Sequence, residues 1–114
     1  MMKLFSNDFM MEMMDGNVSE VIAIAEMFLN LGPKMLEDIG EAIDKEDWLR
    51  AGKAAHKLKS SLMLWRINSL VDLAVSIENN GHKMLNTEDI KSDFIELKEG
   101  LGIALGQMKK EFSL

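Results

Sequence analysis

The 114-residue chain has no cysteine, no tyrosine and one proline, and each shortage narrows what it can be. Without cysteine there is no disulfide framework, thiolate nucleophile or thiolate metal site, which fits a reducing compartment. Two histidines and no cysteine make a poor inventory for a transition metal, so neither metal nor cofactor is expected. The lack of tyrosine and of β-branched runs weighs against a sheet. No window approaches the ~20 apolar residues that span a bilayer, and no membrane association is expected. The start, "MMKLFSNDFMMEMM", is Met-rich but broken by Asn, Asp and Glu. It lacks the continuous apolar stretch and small-residue cleavage site of a signal peptide. A net charge of −6 opposes nonspecific nucleic-acid binding, which depends on neutralising phosphates. Gly-rich phosphate loops and nucleophile elbows are missing as well. Residues 1–114 are expected to form one domain, monomeric and cytoplasmic.

One further absence is local. The chain carries 19 Asp plus Glu against 13 Lys plus Arg, yet no acidic residue occurs from Trp48 to Val71. Arg50, Lys53, Lys57, Lys59 and Arg66 all fall inside that window, with His56 among them. The segment is positive against the balance of the chain.

What is present is helical periodicity. A short helix is expected after Ser6 or Asn7, carrying Phe9, Met10, Met13 and Met14 and stopping at Gly16 as a C′ residue. Asn17 with Glu20 resembles a capping box. It opens a second helix with Ile24, Phe28, Leu31, Met35, Ile39 and Ala42 at spacings of 3 and 4. Pro33 within that run predicts a kink or local break. A third helix from near Asp47 carries the core stripe Ala51, Ala55, Leu58, Leu62 and Trp65. After an "INS" turn, Leu70, Leu73, Ala74 and Ile77 define a fourth helix ending before "NNG". Asn86 and Thr87 cap a fifth, with Glu88 and Asp89 in its first turn. Ile90, Phe94, Leu97, Leu101, Leu105, Met108 and Phe112 continue it. Gly100, Gly102 and Gly106 cost about 1 kcal/mol each relative to Ala in a helix, and mark expected close contacts. Short connections between long amphipathic helices give an all-α, antiparallel up-down four-helix bundle with an additional short N-terminal helix.

A helix advances about 100° per residue. By that rotation Ala55, Leu58, Leu62 and Trp65 point away from His56, while Gly52, Lys59, Ser60 and Met63 share its face. His56 therefore faces outward. A smooth Gly precedes it by one turn, and an apolar but solvent-facing Met follows. An isolated outward histidine is ordinarily an unremarkable surface residue; the cationic zone and its neighbours favour a site. A neutral imidazole is a competent nucleophile near pH 7, since its reference pKa is about 6.5. A phosphoryl group acquired there would lie beside Lys59.

The stretch "AGKAAHKLKSSLMLWRINSLVDLAVSIEN" resembles the signature of histidine-containing phosphotransfer (HPt) domains, roughly A-H-x-L-K-G-S-S followed by L-x-x-L-x-x-x-L-E. The preceding "AEMFLNLGPKMLEDIGEAIDKEDWLRAGKAAH" is similar to the family's first bundle helix and acidic turn, so the resemblance covers about residues 20–80. It implies an antiparallel four-helix bundle that carries a phosphoryl group on one exposed histidine between receiver-domain aspartates. His56 matches the phosphorylated histidine, and Lys59 the lysine that steadies the phosphoryl group. Leu58, Leu62 and Leu70 match core positions. Glu78 falls where members often carry a Glu or Gln that bonds the non-reacting imidazole nitrogen, leaving Nε2 free. His82 falls where some members have a basic residue near the site, although a plain loop histidine is the simpler reading. Two departures stand out: Ser60 replaces the usual Gly, and Trp65 replaces a Gly near the end of the motif.

These readings converge on a phosphorelay intermediate and not an enzyme with its own substrate. The implied partners are response-regulator receiver domains and a hybrid sensor histidine kinase. A phosphorylation-incompetent helical adaptor binding the same partners is the alternative, and a small-ligand or metal-binding bundle a weaker third. The docking face is expected around His56, using Gly52, Lys57, Ser60 and Met63. The N-terminal helix is expected to adjoin the histidine and to add Phe9, Met10 and Met13 to that face.

Overall fold

Helical periodicity is realised along nearly the whole chain. A computed structural model describes residues 2–114. In chain order its elements are α1 (Asp8–Met13), α2 (Val18–Asp44), α3 (Trp48–Leu64), α4 (Asn68–Lys83) and α5 (Thr87–Phe112), with no strand among the described residues. The expected cap at Asn17, and a second at Asp47, start their helices. Oδ1 of Asn17 accepts from the Glu20 N–H at 3.2 Å, and Oδ1 of Asp47 from the Arg50 N–H at 3.2 Å. Each satisfies an amide that has no partner within the helix.

The helices end in paired Schellman-type bonds around a left-handed residue. After α3, for instance, the Arg66 N–H donates to Met63 O at 3.2 Å and the Ile67 N–H to Leu62 O at 3.0 Å, with Arg66 at φ +52°. Ile67 and Leu62 are both fully buried, the apolar contact that accompanies this motif. After α1 the same pattern makes Asp15 the C′ residue, at φ +50°, with Gly16 one position later than expected.

α2 packs against α3 and α5, α3 against α4, and α4 against α5. The connections 45–47, 65–67 and 84–86 are too short for anything but antiparallel neighbours. The result is an all-α, antiparallel up-down four-helix bundle with a short extra N-terminal helix. The expected α3 stripe is the centre of its core, with Ala51, Ala55, Leu58, Leu62 and Trp65 at most 1% exposed.

Several expectations are corrected. The local break offered at Pro33 is not there: α2 is continuous through that residue, which is exposed, so solvent can meet the carbonyl that proline leaves unpaired. Leu31 is 42% exposed, because the buried face passes through Ala25, Phe28 and Gly32, with the Phe28 ring lying over Gly32. α4 does not stop before "NNG" but continues to Lys83, since Gly81 is used for helix contact and Met84 takes the left-handed position at φ +53°. Asn86 is the N-cap of α5 but makes no capping bond; its amide donates instead to Oδ1 of Asn80 at 3.1 Å. Of the three α5 glycines only Gly100 sits in a tight contact, against Leu70; Gly102 and Gly106 face open space.

The N-terminal segment closes one end of the bundle. Phe5 is buried, and its ring centroid lies 6.2 Å from that of Phe112, which lies 6.0 Å from Trp65. The Ser6 N–H donates to Trp65 O at 2.9 Å, and the Leu4 N–H to Oε1 of Gln107 at 2.7 Å. Met10, expected on a docking face, is 2% exposed and belongs to the core. α1 packs on α2, and Phe9 lies under the Arg66 guanidinium at 4.3 Å. α3 ends at Leu64, about 12 Å of helix rise beyond His56, and Arg66 follows that end, so α1 sits at the far end of α3 and does not adjoin the histidine.

Candidate functional site

The α3–α4 interface brings together three of the residues singled out by sequence. His56 stands on the outer face of α3, with 57% of its side chain exposed. Its Nδ1 lies 2.7 Å from Oε2 of Glu78 on α4. The other carboxylate oxygen of Glu78, Oε1, accepts from Nζ of Lys59 at 2.7 Å. Lys59 is one turn beyond His56, so one carboxylate from α4 spans both. Glu78 and Lys59 are far more enclosed than the histidine, at 13% and 21% side-chain exposure.

The electrostatics define the tautomer. The hydrogen bond from Lys59 holds the Glu78 carboxyl below its ordinary range, and the His56 bond adds to this, while partial burial works the other way. An ionised carboxylate can only accept, so Nδ1 of His56 carries the hydrogen and donates it. In the neutral ring this places the lone pair on Nε2. Lys59 is accordingly not the unengaged cation that the sequence suggests; it is neutralised by Glu78 and would have to turn from that carboxylate to meet a phosphoryl group.

The other candidates divide by burial. Lys57 and Ser60 are exposed on α3. Oγ of Ser60 donates back to the His56 carbonyl at 3.4 Å, which turns the hydroxyl along its own helix. Met63 is 48% exposed, as the rotation requires, and Met13 is 52% exposed. Gly52, expected on the open face beside His56, is buried instead. A Cβ there would lie 3.0 Å from Glu78 O and 3.1 Å from Cδ2 of His82. His82 is not a loop residue: it occupies the last turn of α4 with Lys83 and stands over Gly52. No group of three or more metal-ligating side chains occurs among the described residues, and no helix among them is long and apolar enough to cross a membrane.

Sequence reasoning missed the part that Gly81 plays here. It is buried in α4 one turn beyond Glu78, where it reads as a turn residue by composition. The available signal was a pair of glycines inside helical patterns, each costing about 1 kcal/mol.

The model of the Hpt domain family matches residues 23–109, a span that contains His56, Lys59, Glu78 and all four bundle helices in whole or large part. No curated protein and no solved structure matches the chain. Hpt domains are phosphotransfer carriers of two-component phosphorelays and engage response-regulator receiver domains. On the strength of that match, the chain belongs to the Hpt domain family.

Proposed function

We propose that this chain relays a phosphoryl group through Nε2 of His56, taking it from a receiver-domain aspartate and delivering it to another receiver. The observation that carries the reading is the exposed His56 ring, whose Nδ1 is held at 2.7 Å by Glu78. In the forward step the Nε2 lone pair attacks the phosphorus of the aspartyl phosphate. An N–P bond forms, the P–O bond breaks, and the aspartate leaves as a carboxylate. Delivery is the same exchange in reverse with a second aspartate. Glu78 accepts from Nδ1–H throughout and stabilises the positive character that the ring gains when Nε2 bonds to phosphorus. Lys59, lying on the same carboxylate, is within a side-chain rotation of the developing charge.

Such transfer depends mainly on position and charge. A nucleophile fixed on a packed helix meets that requirement from this side, and the receiver supplies Mg²⁺ and most of the remaining stabilisation. The test is incubation with a phosphorylated receiver. A transfer domain becomes labelled on His56 with acid-labile, base-stable phosphate; a phosphorylation-incompetent adaptor binds the receiver and stays unlabelled.

A further inference from the structure

α3 and α4 touch backbone to backbone at Gly52 and Gly81. A Cβ on Gly81 would lie 2.6 Å from the Trp48 carbonyl oxygen and 2.9 Å from both Cα and N of Gly52. A Cβ on Gly52 would lie 3.0 Å from the Glu78 carbonyl oxygen and 3.3 Å from the His82 amide nitrogen. The two glycines therefore face each other, and apart from Cδ2 of His82, 3.1 Å from the Gly52 position, the obstructing atoms are backbone, which cannot rotate aside. Gly52 is one turn before His56 on α3, and Gly81 is one turn after Glu78 on α4. The contact thus lies one turn from the His56–Glu78 bond on both helices.

We propose that Gly52 and Gly81 are positioning residues, setting the α3–α4 separation at which Glu78 can hold Nδ1 of His56. Helix axes ordinarily pack 8–10 Å apart according to the side chains at the contact, and a glycine pair permits the short end of that range. The imidazole is attached to its backbone by only two torsions, so it cannot follow a carboxylate that withdraws. Lys59 has a four-carbon stem and can. Moving α4 outward therefore breaks the His56 contact first and leaves the Lys59–Glu78 pair. The histidine then loses its imposed tautomer while the fold and the ion pair persist. The consequence for phosphotransfer rests on the function proposed above; the geometric inference does not.

Nitrogen-15 NMR of the histidine rings tests this, with His56→Gln used for assignment. Wild type is expected to show His56 as the Nδ1–H tautomer. In Gly52→Ala the neighbours must give by only a few tenths of an ångström, so the fold should survive with a mixture of tautomers. Gly81→Ala, the tighter site, should lose the Nδ1–H preference. Its transfer rate from a phospho-receiver should fall at least about tenfold, within the ~10²-fold that a 1 Å misplacement can cost. Receiver affinity should stay within about twofold. Gly100→Ala is the control: it disturbs the Leu70 contact between α4 and α5 and should leave the His56 tautomer as in wild type. A wild-type tautomer in folded Gly52→Ala overturns the proposal whether or not Gly81→Ala folds, as does a tautomer mixture in the unmodified protein. Tautomer shifts as expected, with no label on wild-type His56, would uphold the positioning role and reject the phosphotransfer reading instead.

Discussion

Oε2 of Glu78 lies 2.7 Å from Nδ1 of His56, and this contact between residues on different helices distinguishes the site from an ordinary exposed histidine. Glu78 is mostly enclosed while His56 is mostly open. The acceptor is thereby shielded from competing water, and the imidazole is open to a macromolecular partner.

His56→Gln should abolish labelling by a phospho-receiver while leaving thermal stability nearly unchanged. A substitution at an exposed position away from the core is ordinarily within about 0.5 kcal/mol. Phosphopeptide mapping and a melting curve check the two halves separately. Label that persisted and mapped to His82 would refute the assignment.

Glu78→Ala should slow transfer more than its distance from Nε2 suggests, because it releases both His56 and Lys59. Lys59→Ala should shorten the lifetime of the phosphorylated form by removing the nearest cation. It should also destabilise the fold by about 1–2 kcal/mol, between the ~0–1 of an exposed ion pair and the ~1.5–3 of a hydrogen bond to a charged group. Single-turnover transfer and urea unfolding measure these effects. Wild-type kinetics in both variants would reduce the pair to a structural link.

Acid should weaken the α3–α4 contact through Glu78. Its folded-state pKa is depressed, chiefly by Lys59, so the unfolded chain takes up the proton at higher pH than the folded one. Stability then rises with pH across that interval. The contribution is fully present above the unfolded carboxyl value of about 4.3 and is lost as pH falls through the lower folded value. Comparing urea midpoints at pH 6 and pH 3, Glu78→Gln should lose less stability than wild type. An equal loss would contradict the linkage.

Met63→Asp should weaken receiver binding with little change in melting temperature, since the side chain is 48% exposed on the histidine's face. Removing residues 2–15 should act differently. It takes away Phe5 and Met10, both buried, and truncating one such residue to Ala commonly costs 2–5 kcal/mol. Titration of a receiver and a melt of each variant distinguish docking from packing. Strong destabilisation by Met63→Asp would move that residue into the core.

Gly102→Ala should stabilise the protein by up to about 1 kcal/mol, the helix-propensity difference, because a Cβ there meets nothing within 4 Å. A melting temperature below that of wild type would show that α5 needs the glycine for another reason.

Helical class, the α3 stripe and the outward direction of His56 were legible from the sequence because each depends on local periodicity. Ala51, Ala55, Leu58, Leu62 and Trp65 repeat at 3 and 4, and any helix with that spacing must bury them together. The cap at Asn17 and the start of α3 near Asp47 were equally local, since an N-cap side chain reaches amides only two or three residues on. Where the reading failed, the deciding contact came from elsewhere in the chain. Phe5 lies outside any periodic run, yet it completes the cluster with Phe112 and Trp65. Met10 follows Phe5 inward, and Leu31 turns outward because Phe28 takes the inner face of α2, stacked on Trp65.

The same division holds at the site. Composition and spacing put a histidine, a lysine and a one-turn interval on the open face of α3, and the motif around them resembles the Hpt signature. The interhelical distance follows from no single helix. Glu78 reaches both His56 and Lys59 only because Gly81, which reads locally as a helix stop, instead lies against Gly52. A glycine's local preference is to end a helix; its lack of a side chain matters more where two backbones meet, and that meeting exists only once α3 and α4 have packed.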